Sequence, residues 1–203
     1  MLVTDICEYK GDTWRIELDG QRKYFVNFLI IKEFGLEKGQ TLPVSALNQI
    51  TRADTLRKAK KRGLYLVGER AYGYNELYAK LKKTYNEETA REAVDYILSL
   101  GYINDEEYAP KLAEYLIKSK HQGLRKARYE MLRRGLDSKL VEKTLGSYSD
   151  KELDGELLAL IERKYSEKIT DFDDRRRTTA ALIRRGYDYG SVKRCIQATL
   201  DSV

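Results

Sequence analysis

One histidine, His121, and two cysteines, Cys7 and Cys195, are all the imidazole and thiol chemistry in this 203-residue chain. A single imidazole excludes His-based metal motifs and leaves a Ser-His-Asp site with little to be built from. His121 sits in a basic, glycine-containing segment and reads as a solvated loop histidine. The cysteines lie far apart, with neither metal nor redox spacing, so inert thiols in a reducing compartment are expected. Long apolar runs are also missing. The longest, Phe28-Leu29-Ile30-Ile31, falls far short of the ~20 residues that span a bilayer. The first residues lack the basic start and apolar stretch of a secretion signal. A cytoplasmic protein without membrane contact is therefore expected. Gly63 to Arg70 has the glycine spacing of a phosphate loop, but not the Lys-Ser/Thr that would reach phosphate and magnesium. Asp171, Asp173 and Asp174 cluster with no catalytic partner and read as a solvated loop. No enzyme, cofactor or metal is expected.

What the chain does contain is a repeat. Leu81-Lys82-Lys83-Thr84-Tyr85-Asn86, Leu132-Arg133-Arg134-Gly135-Leu136-Asp137 and Ile183-Arg184-Arg185-Gly186-Tyr187-Asp188 recur every 51 positions. A fixed period of this size marks one supersecondary unit used three times. Each copy reads as a helix–turn–helix corner. The apolar residue is taken as the last buried position of a helix, and the basic pair sits at the negative end of the helix dipole. Gly135 and Gly186 suit the left-handed residue that closes a helix. Asn86, Asp137 and Asp188 suit N-caps of the next helix. Thr84 replaces the glycine in the first copy, which predicts a different turn there.

The period continues into that next helix, where Ala90, Val141 and Val192 pair with Val94, Leu145 and Ile196 as i, i+4 apolar stripes. Upstream helices start at capping boxes, Asn104 to Glu107 and Ser149 to Glu152. Tyr108, Leu112, Tyr115 and Leu116 give one apolar face. Leu153, Leu157, Leu160 and Ile161 give the other. Pro110 predicts a kink or a late start in the first of these helices.

Residues 1–50 follow another pattern. Trp14 to Leu18 alternates as a half-buried strand does, and Asp19-Gly20 is a hairpin signal. Arg22 to Val26 returns as a second strand, Leu2 to Tyr9 gives a third, and residues 28–31 suit a short helix. The predicted fold is mainly α: about three tandem three-helix repeats in an elongated curved array, behind a small antiparallel β module. The expected boundaries are 1–50 for that module, then 54–104, 105–148 and 149–203 for the repeats.

Charge follows the same division. The chain has 38 basic and 32 acidic residues, for a net +6. Residues 1–50 hold six basic against seven acidic, so the excess lies in the repeats. Lys118 to Arg134 carries seven Lys/Arg and one acid, and Arg175 to Arg185 carries five Arg and none. Such stripes can follow a phosphate backbone. The candidate binding residues are Lys82, Lys83, Arg125, Lys126, Arg128, Arg133, Arg134, Arg175, Arg176, Arg177, Arg184 and Arg185. The alternative is that these side chains only solvate exposed faces.

An ordered set of motifs resembles the RecX family. Leu66-Val67-Gly68-Glu69-Arg70 with Asn75 to Leu81 is similar to the family's first repeat. Gly101-Tyr102-Ile103-Asn104-Asp105-Glu106-Glu107-Tyr108-Ala109 resembles its central motif. Gly123-Leu124-Arg125 through Gly135, and Arg184-Arg185-Gly186-Tyr187, resemble later segments. The set covers roughly residues 56–200, and the front module is similar to the extension of some Gram-positive members. The resemblance implies a regulator that lies in the groove of the RecA–single-stranded DNA filament, and a monomer is expected. There it would restrain ATPase, strand exchange and co-protease activities. Two other classes stay open on the residues alone: a sequence-independent nucleic-acid-binding repeat protein, and a helical scaffold for acidic proteins.

Overall fold

A computed structural model describes residues 1–201. They form two compact units, Met1–Arg70 with Tyr78–Leu100, and Ala71–Leu77 with the chain from Gly101 onward.

The first unit opens with strands β1 (Val3–Lys10), β2 (Thr13–Leu18) and β3 (Arg22–Asn27), antiparallel in chain order. Leu18 pairs with Arg22, leaving Asp19, Gly20 and Gln21 in the hairpin loop. Alternation buries Ile16 and Leu18 on one face. Asn27 then caps the short helix α1 (Phe28–Glu33), its side chain accepting from the Leu29 N–H at 2.9 Å. Helix α2 runs unbroken from Val44 to Glu69. Its Leu47 and Ile50 share a core with Val3, Ile16, Leu18, Val26, Ile30 and Ile31. The Asn27 N–H also donates to the buried Asp54 carboxylate of α2, at 3.0 Å. The expected boundary near residue 50 thus falls inside a helix whose first half belongs to the sheet's core.

The rest of α2 packs on α4 (Glu87–Ser99), which is capped by Asn86. Gly63 permits the approach, because a Cβ there would lie 2.3 Å from Ile97 Cδ1. The stretch from Gly63 is helical, in accord with setting aside a phosphate loop. Helix α3 (Tyr74–Leu81) contributes its last residues to this unit and buries Leu81.

The second unit holds two three-helix sets. The first is α5 (Asp105–Glu114), α6 (Leu124–Arg133) and α7 (Ser138–Leu145). The second is α8 (Asp150–Tyr165), α9 (Phe172–Arg184) and α10 (Tyr189–Leu200). Asn104, Asp137, Ser149 and Asp188 cap α5, α7, α8 and α10 as expected, and Ser149 with Glu152 makes the full capping box. Val141, Leu145, Val192 and Ile196 are buried in the two cores.

Three expectations need correction. Helix α5 starts at Asp105 despite Pro110. The carbonyl that Pro110 cannot serve belongs to the exposed Glu106, which faces solvent. The departure from α geometry comes later, as a π-turn at Tyr115–Ser119, where the Lys120 N–H reaches back five residues to the Tyr115 carbonyl. That extra residue re-phases the helix. Leu116 and Ile117 are both buried, and Tyr115 is left exposed rather than in the core. Finally, Asp171 does not sit in a solvated loop: it caps α9, its carboxylate accepting from the Asp174 N–H at 2.9 Å and held below the usual carboxylate range by such bonds.

Candidate functional site

The corners set the direction of every candidate cation. After α6, Gly135 adopts φ +82°, and after α9, Gly186 adopts φ +94°. In each, the residue after the glycine donates five positions back: Leu136 to the Met131 carbonyl and Tyr187 to Leu182. The glycine itself donates three back. Paired bonds of this kind close a helix on a left-handed residue. The first copy differs. Thr84 stays out of the left-handed region, and Tyr85 donates only four residues back, to Leu81. Helix α3 ends at Leu81, one residue earlier in the repeat than α6 and α9, which end at Arg133 and Arg184.

That difference overturns one assignment. Leu81 is the last buried residue of α3, but its 51-residue partners Leu132 and Ile183 are 39% and 40% exposed. Met131 and Leu182, one residue earlier, take the buried place. The helix partner of Leu81 is therefore Met131, 50 positions on. Lys82 and Lys83 do not stand where the later arginine pairs stand.

The same corners join the two three-helix sets. The Gly123 N–H donates to the Arg185 carbonyl at 2.9 Å, and the Arg125 N–H to the Gly186 carbonyl at 3.3 Å. Carbonyls just past the end of α9 thus satisfy amides at the start of α6, where intrahelical partners are lacking. Gly135 makes the matching approach to Asn75, whose amide donates to the Gly135 carbonyl at 2.7 Å. A cavity of about 200 Å³ adjoins the first of these joints, lined in part by Arg125, Asp150, Asp154, Tyr187 and Ser191. Asp154 is already paired with Arg194 at 3.0 Å.

Each arginine pair is divided. Arg134 turns inward and donates to the Tyr108 hydroxyl at 2.8 Å, which in turn donates to Glu76 at 2.8 Å. Burial first, and Glu76 second, raise the Tyr108 pKa. Arg185 reaches back to the carbonyls of Lys120 and His121, at 3.3 and 3.5 Å. Arg175 also turns in, donating to the Ile169 and Thr170 carbonyls. Their partners Arg133 and Arg184 point outward.

The other candidates are exposed. Lys82 pairs with Glu87, Arg128 with Glu142 at 2.5 Å, Arg133 with Glu130 at 2.7 Å and Arg177 with Asp174 at 2.9 Å. Lys83, Arg125, Lys126, Arg176 and Arg184 carry no ion pair or side-chain hydrogen bond among the described residues. His121 is not a free loop histidine. It adopts φ +48°, its Nε2 lies 2.8 Å from Arg163 Nη2, and its Nδ1 is buried. Burial raises the Cys195 thiol to about 11, which keeps it protonated at neutral pH. Among the described residues, no group of three or more His, Cys, Asp or Glu is placed to hold a metal. Nor is any helix long and apolar enough to cross a membrane.

Sequence reasoning missed the regularity that these positions reveal. Arg125-Lys126-Ala127-Arg128-Tyr129-Glu130-Met131-Leu132-Arg133-Arg134 aligns, 51 residues on, with Arg176-Arg177-Thr178-Thr179-Ala180-Ala181-Leu182-Ile183-Arg184-Arg185. The buried positions coincide: Ala127 with Thr178, and Met131 with Leu182. So do the exposed cations: Arg125 with Arg176, Lys126 with Arg177, and Arg133 with Arg184. Two helices of the second unit present the same outward set. The signal was available as a ten-residue direct repeat.

Residues 152–196 match the RecX third three-helix domain. Relatives named regulatory protein RecX agree over much more of the chain. That of Caldanaerobacter subterraneus is 24% identical, covering 98% of this chain and 100% of the relative. That of Clostridium perfringens is 26% identical, covering 79% and 77%. The chain is similar to RecX proteins. The RecX fold is matched in solved structures too. A crystal structure of a regulatory protein RecX superposes with a TM-score of 0.66 at 18% identity, covering 95% of this chain and 97% of that one. RecX from Lactobacillus salivarius gives 0.62 at 21% identity, over 74% and 99%.

Proposed function

We propose that this protein is a cytoplasmic, monomeric, non-enzymatic regulator that binds the RecA–single-stranded DNA filament and restrains RecA's ATP hydrolysis, strand exchange and co-protease activity. The observation that carries this reading is the matched outward set on α6 and α9. Arg125, Lys126 and Arg133, repeated as Arg176, Arg177 and Arg184, offer two equivalent cationic faces to a partner that is itself periodic and anionic. Two weak interactions made together bind far more tightly than either alone. The likeness to RecX proteins and the names of those relatives support a regulatory role. The division into residues 54–104, 105–148 and 149–203 as repeats is part of the same proposal.

The test is RecA ATPase on single-stranded DNA at several salt concentrations. Wild-type protein is expected to suppress it. Arg176→Glu/Arg184→Glu should weaken suppression and make it less sensitive to salt, because cations that face an anionic partner are reversed. Lys10→Glu/Lys23→Glu in the sheet should change little. If wild-type protein at stoichiometric excess leaves ATPase and strand exchange unaltered, the reading fails. Tight binding to bare single-stranded DNA alone would then leave a general nucleic-acid binder. Binding only to acidic proteins would leave a scaffold.

A further inference from the structure

We infer that the outward faces of α6 and α9 are a paired docking surface for protein, anchored by Leu132 and Ile183, rather than a track for nucleic acid. The inference rests on the filament reading above and says which component of that filament these faces touch.

Met131 and Leu182 already fill the buried place at the end of each helix. Leu132 and Ile183, one residue on, stand outside that core and keep 39% and 40% of their surface exposed. A lone exposed aliphatic is ordinary on a protein surface. Here the same exposed position is aliphatic in both helices, 51 residues apart, with a cation at the same places around it. On α6, Arg125, Tyr129, Leu132 and Arg133 stand at i, i+4, i+7 and i+8 and share one helix face. On α9, Arg176, Ala180, Ile183 and Arg184 take those positions.

The chemistry of that shared set distinguishes the partners. Phosphate binding needs cations and gains nothing from a branched aliphatic between them. Stacking on single-stranded bases needs an aromatic ring at each site. Tyr129 could supply one, but its counterpart is Ala180. What repeats is an aliphatic knob flanked by arginines, a composition suited to an apolar protein pocket edged by carboxylates. Of the acids near these faces, Glu130 and Asp174 are already paired with Arg133 and Arg177, which leaves Asp173 in the first turn of α9 against Arg125, Arg176 and Arg184. Uncompensated charge on the faces is positive, so the complementary partner is acidic. Two equivalent faces fit a partner that presents the same pocket twice, as successive subunits of a filament do.

The test uses Leu132→Ser/Ile183→Ser, which removes the knobs and leaves every charge in place. Binding is measured on RecA-coated single-stranded DNA and on the same DNA bare, with helical circular dichroism checking the fold. Removing an aliphatic anchor of this size costs roughly three- to tenfold in affinity. The double variant should therefore bind coated DNA at least about tenfold more weakly, with less than about a twofold change on bare DNA. Leu132→Met/Ile183→Leu should retain wild-type binding to coated DNA. Equal losses on coated and bare DNA would assign the faces to nucleic acid and overturn the inference. So would unchanged binding to both. If wild-type protein itself fails to bind coated DNA, the filament reading falls first and this inference with it.

Discussion

Replacing Gly123 by alanine tests the joint between the two three-helix sets without disturbing either set. Gly123 has φ −71°, a value any residue adopts, so alanine brings no backbone strain. It brings a collision instead. The new Cβ would lie 2.3 Å from Gly186 C and Tyr187 N, and 2.4 Å from Gly186 O. All three are backbone atoms and cannot swing aside. Ordinary carbon–carbon separations are about 3.5–4 Å, so the corner after α9 must retreat by more than about 1 Å. That breaks the bonds from the Gly123 and Arg125 amides to the Arg185 and Gly186 carbonyls. At about 0.5–1.5 kcal/mol each, these bonds account for roughly 1–3 kcal/mol. Alanine is also a poorer N-cap than glycine, but it restricts the unfolded chain, and these effects of about 0.5–1 kcal/mol largely offset. A net loss of about 2–3 kcal/mol is expected once looser packing of Tyr187 is included. Gly101→Ala is the control, since Gly101 has φ +77° with nothing within 4 Å. It should cost only the left-handed strain, about 1–2 kcal/mol. Urea denaturation gives the stabilities, and hydrogen exchange at Arg125 reports the joint directly. The reasoning is refuted if Gly123→Ala lies within about 0.5 kcal/mol of wild type, or if the Arg125 amide stays as protected as before.

Three further outcomes are expected. Asp171, Asp188 and Glu152 have depressed pKa values because they accept hydrogen bonds as caps. Their stabilisation is complete above the ordinary carboxylate range and is lost as pH falls through their lowered values; urea midpoints should therefore drop below about pH 4, and Asp188→Asn should flatten that fall while keeping the cap. Cys7→Ser/Cys195→Ala should retain filament binding at neutral pH, and loss of binding with the helical signal intact would reopen a thiol role. Deleting residues 1–53 removes the Asn27 donor to Asp54, the first turns of α2 and every buried residue of the sheet's core; hydrogen exchange should show the remainder of α2 and α4 weakened while α5 to α10 keep their protection, and unchanged protection of that remainder would support a boundary near residue 50.

The parts of this fold that sequence reasoning reached are those fixed by local chemistry. Caps at Asn86, Asn104, Asp137, Ser149 and Asp188, the glycine-closed corners and the hairpin at Asp19-Gly20 each depend on a few neighbouring residues. What escaped it depends on distant partners or on phase. Met131-Leu132 and Leu182-Ile183 are apolar doublets, and a doublet does not say which member is buried. One residue rotates a helix position by about 100°, so a one-residue error in the corner turns a core residue into a surface one. The constant 51-residue spacing concealed that error, because α3 meets its corner one residue sooner than α6 and α9 do. The inward turn of Arg134 and Arg185 was hidden for a different reason. Their acceptors, Tyr108 and the carbonyls of Lys120 and His121, are brought close only by tertiary packing. Gly123 was equally silent: its φ is ordinary, and it must lack a side chain only because another helix end comes to rest on it. The same phase correction that moved Leu132 and Ile183 out of the core placed them among the outward arginines. The candidate surface is therefore defined by what the corners leave exposed, and a count of basic residues alone would have included Arg134, Arg175 and Arg185 and omitted both aliphatic knobs.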